Sequence, residues 1–224
     1  MKRPGTISPV AVRLVLFDLD GTLIDSLPDL RQSLNYVRYA FRLPPLSAEM
    51  VQSFVGDGAW KLVERSLQGY SPEEVQTGFT LFRSHYLEHC TDFTTLYPEC
   101  RETLAALSTR GKILGVVTNK PDRMTVRILE AFRLTPFISI IVGGDKAPER
   151  KPSPLHLQQA LEEAVCRPDE TLMIGDSTND IDAAQRAGVY SCGVCYGFSQ
   201  AVASDGSRPD YCIDRLKELL SILT

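Results

Sequence analysis

Two aspartates, Asp18 and Asp20, follow a short apolar run and come directly before Gly21. The run, residues 12–17, is rich in valine and leucine, which is typical of a strand buried on both faces of a parallel sheet. Unpaired charge near a core is costly, so two acids at the end of such a strand indicate a bound cation or a proton transfer. Side chains two apart in an extended chain point the same way, and the glycine then permits a sharp turn. This stretch is therefore predicted to carry chemistry.

Further polar residues follow later apolar runs or precede a predicted helix. They are a hydroxyl, an amide, two acids and an ammonium group: Thr118, Asn119, Asp176, Asp180 and Lys151. Because the carboxyl ends of parallel strands meet at one edge of a sheet, we expect these side chains to converge on Asp18 and Asp20. The predicted site contains four aspartates and a single ammonium group.

This set of side chains suits phosphate chemistry assisted by a metal. Clustered carboxylates bind hard cations, and Mg²⁺ typically takes one or two carboxylates, several waters and substrate phosphate. With the metal and Lys151 offsetting charge, one carboxylate can attack phosphorus and form an aspartyl phosphate. A second acid would protonate the departing oxygen and later activate water. Thr118, Asn119 and backbone N–H groups would hold the phosphoryl oxygens.

The pattern of elements predicts how the chain positions these residues. After residue 96, predicted strands alternate with helices, and the strands cover residues 113–117, 138–142, 171–174, 190–195 and the region near 211. Such alternation predicts an α/β fold with a doubly wound, Rossmann-like parallel sheet. From Ser26 to Leu96 only helical patterns are found. We interpret residues 26–95 as a helical cap inserted after the first strand, residues 1–25 and 96–224 as the catalytic core, and residues 1–11 as a leader.

Composition excludes several classes of partner. The 224 residues have a net charge of −4, which offers no broad basic surface for nucleic acid. No apolar run approaches the roughly 18 residues of a membrane helix. The six cysteines are scattered through a chain too long to need disulfides, so reduced thiols are expected. We expect a soluble, cytoplasmic protein without nucleic-acid or membrane partners, either a monomer or a homodimer.

Four motifs stand in order along the chain, at residues 18–22 (DLDGT), 118–119 (TN), 151–152 (KP) and 175–180 (GDSTND). With the helical insertion after the first, they resemble the haloacid dehalogenase-like phosphohydrolases over essentially the whole chain. The resemblance implies a Mg²⁺-dependent phosphatase acting on a small phosphorylated substrate. Asp18 would be its nucleophile and Asp20 its general acid and base. The dehalogenases of this superfamily lack an acid at the position of Asp20, so a phosphatase is favoured.

The same resemblance implies roles for the remaining residues. Thr118 and Lys151 would bind the phosphoryl group, with Lys151 also holding Asp18. Asp176 would complete the Mg²⁺ site together with Asp18 and the backbone carbonyl of Asp20. Asp180 would orient either the water shell of the metal or Lys151.

More narrowly, residues 55–59 (VGDGA), 117–120 (VTNK) and 143–145 (GGD) are similar to those of bacterial phosphoglycolate phosphatases. This similarity implies 2-phosphoglycolate as the substrate. Gly56, Asp57 and Gly58, at a helix start, are candidates to present N–H groups to a small carboxylate or sugar oxygen. Lys61 is a candidate for additional charge. A plain turn and a solvated lysine are the simpler interpretations.

Other functions stay open at this point. Sugar-phosphate phosphatases, pyrophosphatases and phosphoglucomutases resemble the same cap type. A receiver-like phospho-acceptor switch also gathers acids, a threonine and a lysine, but it would not need an insertion of about seventy residues. A phosphate-binding protein on an inactive scaffold is opposed by the complete set of acids and lysine.

Two sequence patterns are discounted as sites. Residues 85–89 fit H-x-x-E-H, yet they fall near the end of a cap helix with no other motif nearby. Cys192 and Cys195 fit C-x-x-C, but side chains three apart on a strand face opposite sides. Buried strand thiols are expected for both.

Overall fold

The structure, a computed structural model, describes residues 12–199 and 201–223, and the predicted leader at residues 1–11 lies outside them. The strands are β1 (Leu14–Phe17), β2 (Ile24–Asp25), β3 (Thr95–Leu96), β4 (Ile113–Val117), β5 (Ile140–Val142), β6 (Thr171–Gly175), β7 (Tyr190–Val194) and β8 (Tyr211–Ile213). The helices are α1 (Leu27–Ala40), α2 (Ala48–Gln52), α3 (Ala59–Ser66), α4 (Pro72–His89), α5 (Cys100–Thr109), α6 (Asp122–Ala131), α7 (Leu155–Ala164), α8 (Thr178–Ala187) and α9 (Leu219–Ile222).

Six strands form one sheet in the order β5-β4-β1-β6-β7-β8, and every neighbouring pair is parallel. The chain adds strands on one side of β1 and later on the other, so the order reverses at β1. Open α/β sheets place their sites at such a reversal, beyond the carboxyl ends of the strands. The predicted doubly wound parallel sheet is therefore confirmed.

The central strand explains why the sheet is covered on both faces. All four residues of β1 are buried, and they alternate between two apolar clusters. Val15 and Phe17 belong to a cluster that extends to Phe82 of α4, whereas Leu14 and Leu16 belong to a cluster with α7 and α8. Alternate side chains of a strand face opposite sides of the sheet, which produces this division.

Helices α1 to α4 occupy the chain between β2 and β3. These two short strands pair antiparallel, with Ile24 opposite Leu96 and Asp25 opposite Thr95. The prediction of helices alone up to Leu96 is wrong at this point, because a two-residue strand shows no periodicity. The division into core and cap at residues 25/26 and 95/96 stays a prediction.

The entry to and exit from the helical segment are joined by one carboxylate. Asp29 of α1 is fully buried, and its oxygens accept hydrogen bonds from the backbone N–H groups of Phe93 and Thr94 and from the Thr94 hydroxyl. The segment therefore leaves and rejoins the sheet domain at one place. Within the described ranges, no helix is both long and apolar enough to cross a membrane.

Candidate active site

The predicted polar residues meet beyond the carboxyl ends of β1, β4 and β6. Asp18 directly follows β1, Thr118 directly follows β4 and Asp176 directly follows β6. A cavity between this edge and the helical segment is lined by Asp18, Asp20, Gly56, Gly58, Thr118, Asn119, Lys151, Asp176 and Asp180. Every predicted site residue except Asp57 and the candidate Lys61 thus borders one cavity.

Lys151 links two of the carboxylates. Its ammonium group donates to Asp18 Oδ1 at 2.9 Å, to Asp180 Oδ1 at 2.6 Å and to the carbonyl oxygen of Val117 at 2.6 Å. Burial alone would lower the pKa of Lys151, but the neighbouring Asp18 and Asp180 carboxylates outweigh it and raise this pKa. Lys151 is therefore a permanent cation with all three of its N–H groups in use.

The buried carboxyl groups of Asp18 and Asp176 both have raised pKa values. Burial raises the pKa of Asp18 to about 6 although Lys151 opposes the shift. Burial, with the charges of Asp180 and Asp18, raises the pKa of Asp176 to about 8. Carboxylate oxygens of Asp18, Asp176 and Asp180 lie within 4.8 Å of one another. A buried set of three carboxyl groups with one ammonium group beside it fits a hard divalent cation such as Mg²⁺.

The Asp176 side chain packs directly against the backbone at Gly21, where a larger residue would collide with it. Gly21 has φ +82°, a conformation that favours glycine, and a Cβ atom there would lie 2.4 Å from Asp176 Oδ2. The same carboxylate oxygen accepts hydrogen bonds from the backbone N–H groups of Phe198 and Ser199 at 2.7 and 3.2 Å. Gly21 is therefore needed both for the turn after β1 and for the approach of Asp176.

Asp20 pairs with a second buried lysine. Lys120 Nζ lies 2.8 and 3.0 Å from the two carboxylate oxygens of Asp20, and it donates to the Tyr86 hydroxyl at 2.6 Å. The Ser26 hydroxyl also donates to Asp20. Burial alone would lower the pKa of Lys120, but Asp20 and Tyr86 raise it. The prediction of a single ammonium group is wrong, since Lys120 follows Thr118 and Asn119 so closely that it reaches the same cavity.

The two polar residues after β4 have different environments. Thr118 is buried, and its hydroxyl oxygen accepts from the backbone N–H of Lys120 at 3.3 Å. The Asn119 amide donates to the carbonyls of Lys151 and Gly56, both at 2.9 Å, and accepts from the Lys151 N–H at 2.9 Å. The Asn119 side chain thus holds the backbone of the Lys151 loop and of the helical segment.

The predicted loop at Gly56, Asp57 and Gly58 does reach the site. The Gly56 carbonyl accepts from Asn119 and from Asn179, the latter at 3.2 Å, and Asn179 also donates to Asp57 Oδ1 at 2.9 Å. Burial would raise the pKa of Asp57, but hydrogen bonds from Asn179 and Arg65 outweigh it and lower this pKa. The Asp57 carboxylate is therefore used for docking the loop.

Some residues of the site were absent from the sequence-based prediction. Lys120 belongs to the stretch at residues 117–120 and Asn179 to the motif at residues 175–180. Their position beside predicted site residues was the sign in the sequence that they too belong to the site. The apolar wall of the cavity includes one residue from each of α1, α3, α4 and α6 and one from the loop after α2: Leu30, Leu62, Phe82, Met124 and Val55. Lys61, a candidate for additional charge, pairs instead with Glu64 at 2.6 Å on the exposed side of α3.

The discounted patterns give no second metal site. His85 Nδ1 is 2.9 Å from the Ser33 hydroxyl, and His89 Nδ1 is 2.8 Å from Asp92 Oδ2. Across residues 12–199 and 201–223, the aspartate cluster is the one group of acid, histidine or cysteine ligands close enough for a metal.

Cys192 is buried as expected, but Cys195 is exposed, with its sulfur 3.7 Å from that of Cys212. The expected burial of both strand thiols is therefore wrong for Cys195, which lies at the end of β7.

A single family model matches the part of the chain that contains all of these site residues. The model for haloacid dehalogenase-like hydrolases matches residues 15–194, a span that includes every predicted site residue. The chain belongs to the haloacid dehalogenase-like hydrolase family. The predicted family is confirmed, and an enzyme of this family is distinct from a receiver-like switch.

Relatives within the haloacid dehalogenase-like hydrolases extend over nearly the full chain. A phosphoglycolate phosphatase from Neisseria meningitidis serogroup A is 40% identical over 216 residues, which are 93% of this chain and 92% of that protein. One from Vibrio parahaemolyticus is 37% identical over 219 residues, covering 95% and 96%. The crystal structure of a predicted phosphoglycolate phosphatase from Haemophilus somnus 129PT has a TM-score of 0.90 at 35% identity, covering 96% of this chain and 99% of that one. These relatives support the predicted class of enzyme, a phosphatase.

Proposed function

We propose that this hydrolase is a Mg²⁺-dependent phosphomonoesterase that works through an aspartyl phosphate and acts preferentially on 2-phosphoglycolate. The arrangement of Asp18 carries the proposal. One of its oxygens is held by Lys151 at 2.9 Å, beside the acidic cluster with Asp176 and Asp180. Among the residues that the structure describes, none donates a hydrogen bond to the other oxygen, which would be available for a reaction in the cavity. The names of the relatives support the choice of substrate.

In the first step, the free oxygen of Asp18 attacks phosphorus and the ester bond to the leaving alcohol breaks. Asp20, two residues further on, gives a proton to the departing oxygen. In the second step, Asp20 takes a proton from water, whose oxygen attacks the phosphoryl group and breaks its bond to Asp18. Phosphate leaves, and both carboxylates return to their starting forms.

The remaining residues bind and orient the phosphoryl group. Thr118 and Lys151 border the cavity on the side of Asp18; the Thr118 hydroxyl would hold a phosphoryl oxygen, and Lys151, whose N–H groups are already donated, would bind the phosphoryl group through its positive charge. Asp18, Asp176 and the carbonyl of Asp20 would hold Mg²⁺, whose charge offsets that of the phosphoryl oxygens when it is bound. Asp180 fixes Lys151, and Asn119 fixes the Lys151 loop. The helical segment over the cavity excludes bulk water, which strengthens each of these interactions.

Phosphate release from a panel of substrates tests this function. The panel contains 2-phosphoglycolate, glucose phosphates, pyrophosphate and p-nitrophenyl phosphate, each with Mg²⁺ or EDTA. We expect a preference for 2-phosphoglycolate that disappears with EDTA and in Asp18→Asn. The exposed-loop variant Asp205→Asn serves as the matched control and keeps wild-type activity. Preferred turnover of another substrate would keep the mechanism and select one of the sugar-phosphate or pyrophosphate alternatives.

The covalent step requires its own measurement. Mass spectrometry of enzyme quenched in acid during turnover should detect a phosphoryl group on the peptide that contains Asp18. Activity that survives in Asp18→Asn would remove Asp18 as the nucleophile. A cytoplasmic location and a monomeric or homodimeric state stay predictions from the sequence.

A further inference from the structure

Among the described residues that line the cavity, two carry positive charge, Lys120 and Lys151. Lys151 uses its three N–H groups on Asp18, Asp180 and the Val117 carbonyl. It is therefore committed to the side of the cavity where phosphorus is attacked. Lys120 is the cation that remains for the other side of the substrate.

Lys120 lies beside the position that the leaving alcohol would occupy in the proposed reaction. Because Asp20 protonates the departing oxygen in the proposed reaction, the leaving alcohol lies next to the Asp20 carboxylate. Lys120 Nζ is 2.8 and 3.0 Å from the oxygens of that carboxylate. A polar group on the carbon that follows the ester oxygen is then within hydrogen-bonding reach of Nζ, since both contact the same carboxylate.

Two hydrogen-bond donors become available at this point. Lys120 contacts both oxygens of the Asp20 carboxylate, and one of these two contacts is enough to keep the pair, so one N–H of the ammonium group can turn to a bound anion. The Tyr86 hydroxyl accepts from Lys120, which is its one hydrogen-bond partner within the described ranges, and its own hydrogen is free to donate. An ammonium group and a hydroxyl together favour an anion.

The surroundings of this pair favour a small anion over a sugar. Tyr86 and Lys120 are buried, and the neighbouring wall is formed by Leu62, Phe82 and Met124. Sugar hydroxyls would find no hydrogen-bonding side chains on that wall, and burying them unpaired is costly. A single charged group placed on Lys120 satisfies the available donors.

We propose that Lys120, supported by the Tyr86 hydroxyl, binds an anionic group on the leaving alcohol and selects monoesters of 2-hydroxy acids, in which a carboxylate stands on the ester carbon. The inference rests on the proposed phosphatase function, and it assigns the residue that reads the substrate beyond its phosphate. Lys120 is then a specificity-determining residue as well as a neighbour of the general acid.

A matched pair of substrates separates these two roles. 2-Phosphoglycolate and ethyl phosphate have the same two-carbon skeleton, but only the first carries a carboxylate. We expect the ratio of their kcat/KM values to fall roughly 10- to 100-fold in Lys120→Met, the range for a lost hydrogen bond between charged groups. A role confined to positioning Asp20 would lower both kcat/KM values by the same factor and leave the ratio unchanged, which would overturn the proposal.

Two more variants control the experiment. Lys61→Met removes an exposed lysine of the same helical segment and should leave the ratio as in the wild type; a fall there would transfer the role to Lys61. Tyr86→Phe keeps the ion pair of Lys120 and should lower the ratio by about 3- to 10-fold. If Lys120→Met does not fold, Tyr86→Phe decides, and an unchanged ratio in it refutes the proposal. A wild type that hydrolyses ethyl phosphate and p-nitrophenyl phosphate but shows no preference for the carboxylate refutes this inference and the proposed substrate, and it leaves the phosphomonoesterase mechanism in place. A wild type that hydrolyses no monoester refutes the proposed function as well.

Discussion

Replacing Lys151 by methionine tests whether the site is organised by charge. Methionine keeps most of the apolar volume of the side chain but removes the ammonium group. Asp18 and Asp180 would then lose their shared partner while remaining buried, close to Asp176. Removing one partner of a buried ion pair leaves uncompensated charge and typically costs about 3–5 kcal/mol of unfolding free energy. For a domain of this size, each kcal/mol lowers Tm by roughly 2–4 °C, so the metal-free variant should melt about 6–20 °C below the wild type.

The loss should depend on pH with a definite sign. Asp18 already has a raised pKa of about 6 in the folded protein, and removing Lys151 takes away the main charge that lowers it. Its unfolded pKa is near 3.9. A raised pKa means that the folded state binds the proton more tightly, so the carboxylate destabilises the fold as pH rises through its folded pKa. The difference in Tm should therefore be larger at pH 8 than at pH 5.5.

Thermal melts of both proteins in EDTA and in excess Mg²⁺ measure this effect. Mg²⁺ should recover part of the loss, because a bound cation replaces some of the missing positive charge. Lys61→Met removes an exposed ion pair and should change stability by less than about 1 kcal/mol. A metal-free Lys151→Met protein that melts within about 2 °C of Lys61→Met at pH 8 would contradict the reasoning. The acidic cluster would then not depend on Lys151 for its charge balance.

Three more outcomes follow from the contacts of the site. Gly197→Ala should weaken Mg²⁺ binding and lower Tm, since its Cβ atom would lie 2.2 Å from Cβ of Asp176; isothermal titration and thermal melts measure both. Mg²⁺ binding at pH 7 should release close to one proton, because Asp176, with a pKa of about 8, is mainly protonated without metal; calorimetry in buffers of different ionisation enthalpy detects this. Asn179→Ala should raise KM more than it lowers kcat, because it removes hydrogen bonds to Gly56 and Asp57 that hold the loop over the cavity; steady-state kinetics separate the two.

The parts of the site that sequence predicts best are those tied to strand ends. Asp18 and Asp176 follow apolar runs that the sheet buries, so the topology of a parallel sheet brings them together without further information. Lys151 does not directly follow a strand, so its place in the site was inferred from the order of the four motifs. Its contacts with both Asp18 and Asp180 could be resolved only in three dimensions.

Roles that depend on contacts between residues far apart in the sequence could not be predicted in this way. Lys120 is one residue beyond the TN motif, and a lysine there looks like a solvated charge until Asp20 and Tyr86 are placed around it. The pairing of β2 with β3 joins segments about seventy residues apart, which no local pattern encodes. The candidate role of Lys61 illustrates the opposite error, since one helical turn from a loop does not determine which side of α3 faces the site.

The contact at Gly56 has a consequence for how such enzymes change over time. Asn119 and Asn179 both donate to the backbone carbonyl of Gly56, so this attachment does not depend on the side chains that line the cavity. Substitutions among the side chains of the helical segment can therefore alter which leaving group fits without erasing this attachment. New substrate preferences can arise from substitutions in the helical segment, while the side-chain amides of Asn119 and Asn179 continue to hold the Gly56 loop in place.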